Sequence, residues 1–122
     1  MNTSYKYIDL TSLINFSNND EKFIKEIITI AIQQTTIDIS NYQSALLSKD
    51  YKQIGSICHK ICSSMNYIGV RADIIAKIKL IETIIYEGKD YLKVDTSSNE
   101  IIEIILNTIN ELKLILKTLA LK

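Results

Sequence analysis

The sequence predicts an all-α protein, an up-and-down four-helix bundle with a short additional N-terminal helix, filling residues 1–122 as a single domain. Three observations carry this expectation. The chain contains no proline and three glycines, so few breakers interrupt long elements. Hydrophobic residues make up 47%, dominated by Ile and Leu, and they recur at three- and four-residue spacing. That period decides against the sheet that isoleucine would otherwise suit. Polar clusters then divide the pattern into four substantial segments with short connections. A length of 122 residues matches one domain, able to bury about two thirds of its unfolded surface.

Asp9 to Ser17 forms the short amphipathic helix. Asn18-Asn19-Asp20 offers capping oxygens ahead of a long helix whose stripe is Phe23, Ile24, Ile27, Ile28, Ala31, Ile39, Tyr42, Ala45 and Leu46. Its middle, Gln33-Gln34-Thr35-Thr36, is poorer helix-forming sequence without a breaker. Ser48-Lys49-Asp50 closes that helix, and Asp50 with Gln53 three residues later resembles a capping box opening the next, which runs to about Tyr67. Gly69 marks a tight corner. Val70, Ile74, Ile75, Ile78, Ile81, Ile84 and Ile85 then form the inner face of a helix that keeps Lys77, Glu82 and Glu87 outside and ends at Gly88. Lys89 to Thr96 reads as a loop. Ser97-Ser-Asn-Glu100 reads as a capping box starting the last helix, with Ile101, Ile105, Ile109, Leu112, Leu116 and Leu119 inward.

Charge and composition exclude several function classes. Fourteen basic and fourteen acidic residues give zero net charge, so no bulk field draws the chain to nucleic acid or to an anionic membrane. No apolar run approaches the roughly 20 residues that span a bilayer, and the N-terminus lacks a basic-then-apolar signal pattern. The expectation is a cytoplasmic monomer, and Met1 with no visible linker favours a free-standing protein over an excised domain. The two cysteines, Cys58 and Cys62, are four apart on one helix, a spacing that suits neither a long-range disulfide nor a CxxC redox pair.

The chemistry gathers at the one histidine, His59. At about 100° per residue, Ile54, Ile57, Cys58, Ile61, Met65 and Ile68 fall within roughly 100° of one another, and His59 lies about 140° from the middle of that stripe. Its expected neighbours on the outer face are Lys52, Gly55, Ser56, Ser63 and Asn66, with Cys62 on the shoulder and Lys60 pointing aside. A metal site from Cys58, His59 and Cys62 is disfavoured, because Cys58 points to the core and no further Cys or His completes a tetrahedron. A Cys62–His59 nucleophile pair lacks a third orienting group and an oxyanion site.

Asp50-Tyr51 at the helix start, the small Cys58 before His59, then Ile61, Ser64 and Gly69 together resemble the signature of the histidine-containing phosphotransfer (HPt) domain family. That family typically shows an acidic-aromatic start, a small residue, His-x-Leu-Lys-Gly-Ser, and a glycine ten residues after the histidine. Phe23 to Leu46 resembles its long second helix, so the likeness covers nearly the whole chain. The sequence departs from the pattern at Cys62, where the family has lysine, and at Ser63, where it has glycine.

The resemblance implies a phosphorelay carrier without turnover activity of its own. His59 would accept a phosphoryl group from an aspartyl phosphate on a response-regulator receiver domain, fed by a hybrid sensor kinase, and pass it to a second receiver. No cofactor is implied on this chain, and Mg²⁺ and the catalytic carboxylates would belong to the receiver. Lys52 and Lys60 are candidate replacements for the absent lysine, and Gly55, one turn before His59, would lower the rim where a partner closes. The alternative is a receiver-binding adaptor with weak or no transfer because of Cys62.

Overall fold

The computed structural model describes residues 2–120, and the expected domain limits at 1 and 122 lie outside them. The fold is all-α: α1 (Thr11–Phe16), α2 (Glu21–Ser48), α3 (Tyr51–Ile68), α4 (Ala72–Glu87) and α5 (Tyr91–Ala120) pack around a shared apolar core. Among the described residues no helix is long and apolar enough to cross a membrane.

Local chemistry explains both ends of α2 and α3 and the C-terminal end of α4. Asp20 accepts from the Phe23 amide at 3.2 Å, and Asp50 accepts from the Gln53 amide at 3.2 Å, each satisfying a donor that the first turn leaves open. Lys49, Gly69 and Gly88 close α2, α3 and α4 in the left-handed conformation. The weak middle of α2 stays helical. Thr36 donates its hydroxyl to the Ile32 carbonyl at 2.6 Å, as Thr29 does to Lys25 at 2.7 Å, and Thr35 is fully buried. Packing of Ile24, Ile28, Ile39 and Tyr42 against the other helices holds the segment where propensity alone is indifferent.

The last helix begins earlier than the sequence pattern suggests. The connection after α4 is three residues, and the segment 91–96 expected as a loop is the first part of α5. The reason is tertiary. Tyr91 stacks on Tyr51 with ring centroids 4.2 Å apart, Val94 is fully buried, and Asp95 accepts from the Tyr51 hydroxyl at 3.0 Å and from Lys49 Nζ at 3.1 Å. Ser98, placed in the expected capping box, is a core residue. Its hydroxyl donates to the Val94 carbonyl at 2.6 Å and accepts from the Tyr42 hydroxyl at 2.8 Å. The fourth helix likewise starts at Ala72 rather than Val70, which pairs with Ile8 in an isolated bridge.

Residues 2–10 form a strap that no periodicity announces. Ile8 and Leu10 are fully buried. The Asp9 amide donates to the Gly69 carbonyl at 2.8 Å, and the Arg71 amide to the Tyr7 carbonyl at 2.9 Å. The Arg71 guanidinium donates to the carbonyls of Tyr5 and Lys6 and to the Ser4 hydroxyl. At the other side the Tyr7 amide reaches Glu111 Oε1 at 2.8 Å. The strap therefore clamps the α3–α4 corner, and that corner fixes how the two helices carrying the candidate site meet.

Candidate functional site

Three cross-contacts set the register between α3 and α4. Gly55 lies against Ile85, His59 against Glu82, and Cys62 against the Ile75 carbonyl, so the helices run antiparallel from the Gly69 corner. The closest approach is at Gly55, where an added Cβ would stand 3.1 Å from Ile85 Cγ2. Gly55 is buried, not part of an open rim, and its role is to let α4 come close beside the histidine. Cys62, expected on the shoulder, is also buried under α4.

His59 is exposed, with 70% of its side chain accessible. Its Nδ1 is 2.9 Å from Glu82 Oε1, and since a carboxylate only accepts, Nδ1–H is the donor. The Nε2 nitrogen has no partner among the described residues. Glu82 is a correction to the sequence reading, which keeps it in solvent. Its side chain is 28% accessible, and Oε2 is buried with no hydrogen-bond partner among the described residues. A signal existed in its spacing: four residues after Ile78 and seven after Ile75, Glu82 falls on the edge of the apolar stripe.

Two grooves flank the imidazole. One, of about 430 Å³, is lined by Lys52, Gly55 and Ser56 of α3, by Ile85 and Tyr86 of α4 and by Tyr91. The other, of about 210 Å³, is lined by Cys62, Ser63, Asn66, Ile75 and Lys79, and His59 and Glu82 border both. Lys52, Ser56, Ser63 and Asn66 are exposed as expected, and the Ser63 hydroxyl donates to the His59 carbonyl at 3.2 Å. Lys60 is exposed and borders neither groove. Gly69 lies at the far end of α3, where its work is the corner. Beyond Ser63, an apolar groove of about 350 Å³ between α2 and α3 includes Ile27, Ile30 and Tyr67. The exposed Phe16 ring meets Tyr67 edge-on at 6.3 Å.

Among the described residues no three His, Cys, Asp or Glu side chains gather as a metal site. Burial pushes the Cys58 thiol up to about 12, and burial with the neighbouring Glu82 charge pushes Cys62 up to about 11. Both thiols are protonated at neutral pH and poor nucleophiles. In the folded protein at pH 8, iodoacetamide should therefore modify Cys62 about a hundredfold more slowly than in the urea-unfolded chain. Because the folded values are raised, the stability tied to these protons is intact below the unfolded thiol pKa. It is lost as pH rises from there through about 11 to about 12. Alkylation at the unfolded rate, or a flat stability profile above pH 9, would contradict this.

Compared with family models, with curated proteins and with solved structures, the chain matches none of them.

Proposed function

We propose that this chain is a phosphorelay intermediate of the histidine-containing phosphotransfer type, its α2–α5 forming an up-and-down four-helix bundle to which α1 is added. The single observation that carries the reading is the exposed imidazole of His59 with Nδ1–H held by Glu82 and Nε2 unengaged. That arrangement leaves a ring nitrogen with a free lone pair on an exposed side chain, where a second molecule can reach it.

In the transfer, the Nε2 lone pair attacks the phosphorus of an aspartyl phosphate on a receiver domain. The N–P bond forms as the P–O bond to the aspartyl carboxylate breaks, and the carboxylate leaves with the electron pair. The ring keeps its Nδ1 proton and becomes an imidazolium whose positive charge faces Glu82. Passing the group to a second receiver reverses the same bonds. Mg²⁺ belongs to the receiver, this chain supplies the acceptor, and its setting is cytoplasmic. Exposed Phe16, Ile30 and Tyr67 beside Ser63 supply apolar surface of the kind a docking partner covers.

The test is label transfer from a phosphorylated receiver. The wild type should acquire acid-labile, base-stable label, and His59→Gln should fall to background. A wild type that binds receivers yet takes no label from any of them is an adaptor, and the carrier reading then fails.

A further inference from the structure

We propose that Lys79, on α4, is the cation that holds the phosphoryl group on His59. The proposal rests on the phosphotransfer reading and adds the binding residue that the reading leaves unassigned.

A phosphoryl group on a ring nitrogen carries close to two negative charges at neutral pH and three acceptor oxygens. Glu82 stands at the opposite ring nitrogen, 2.9 Å from Nδ1, and its charge repels the incoming group. A cation near the incoming oxygens would offset that repulsion while Glu82 stays paired with the ring. Three lysines are near enough in sequence or space to consider. Lys60 borders neither groove beside His59. Lys52 lies seven residues before His59, about 10 Å along the helix axis, and shares its groove with Ile85, Tyr86 and Tyr91. Lys79 borders the smaller groove together with His59, the Ser63 hydroxyl and the Asn66 carboxamide.

Two further observations single out Lys79. Its ammonium has no ion pair or hydrogen bond among the described residues, so no competing anion has to release it. It also acts on Cys62, the α3 residue one turn after His59: burial and Glu82 raise that thiol, and the Lys79 charge opposes them. Lys79 and Cys62 border the same groove, so this charge acts on the side of α3 that adjoins His59. Lys79 and Glu82 are three residues apart on α4, one turn, so a single helix face supplies both groups. Glu82 holds the Nδ1 proton, and Lys79 donates hydrogen bonds to phosphoryl oxygens. No proton leaves the ammonium, and the bonds made and broken are those of the transfer itself.

The experiment phosphorylates the full chain with phosphoramidate, a small donor that needs no docking partner. It compares wild type with Lys79→Gln, Lys79→Arg and Lys52→Gln. Label incorporation gives the rate, and ³¹P NMR gives the pH midpoint at which the phosphoryl group on His59 takes its last proton. Lys79→Gln should slow labelling about tenfold and raise the midpoint, because a neutral neighbour disfavours the dianion, and Lys79→Arg should restore both. If His59 is labelled but Lys79→Gln keeps the wild-type rate and midpoint, Lys79 does not hold the group and the phosphotransfer reading survives. If Lys52→Gln shows the loss and Lys79→Gln does not, the phosphoryl group lies in the larger groove and the proposal is overturned. If neither phosphoramidate nor a phosphorylated receiver labels wild-type His59, both the proposal and the reading beneath it fail.

Discussion

Gly69→Ala is expected to lower the unfolding free energy by about 3 kcal/mol, measured by urea titration. Gly69 has φ +93°, a region in which a side chain is strained, and an ideal Cβ there would overlap the Asp9 carbonyl. The neighbour cannot yield cheaply. It is backbone, and the Asp9 amide is itself bonded to the Gly69 carbonyl at 2.8 Å. Relieving the overlap pulls the strap from the corner and disturbs fully buried Ile8. Gly88→Ala supplies the control. Its φ is +73° but a Cβ there meets nothing within 4 Å, so only the conformational penalty of about 1 kcal/mol remains. Equal losses at the two glycines would show that the strap contact contributes little.

Glu82→Gln should slow phosphorylation of His59 by about ten- to a hundredfold while leaving the fold intact. The carboxylate accepts from Nδ1–H and is the counter-charge for the imidazolium formed as the N–P bond closes. A carboxamide removes the charge, and it can also turn its NH₂ toward the ring, which favours the tautomer protonated on the nucleophilic nitrogen. Nitrogen-15 shifts of the ring report this directly: wild type should carry its proton on Nδ1, and the variant should show a mixture. An unchanged tautomer together with an unchanged rate would remove Glu82 from the site.

The helices α2 and α3 were legible almost to the residue, because Asp20 and Asp50 cap them through their own side chains and the stripes between are long. At α5 the same logic misled. Ser97-Ser-Asn-Glu100 has the composition of a cap, but Ser98 is drawn into the core by Tyr42, and the true start is stabilised by the Tyr51–Tyr91 stack and by Asp95. Those partners are 40 to 56 positions away in the chain, which no local window contains. Gly55 was misplaced for a related reason. A single-helix projection shows which way a residue points, not how near a second helix comes.

Sequence by itself determined that the chain is helical, where α2 and α3 begin, and that His59 stands off the apolar stripe with Lys52, Ser56, Ser63 and Asn66. Periodicity and caps are local interactions, readable within a few residues. Tertiary structure alone decided what His59 meets. Gly55 admits α4, the strap sets the corner, and the resulting register brings Glu82 to Nδ1 and Lys79 to the adjoining groove. An interhelical register depends on packing of side chains far apart in the chain, so it exists only once the helices have met.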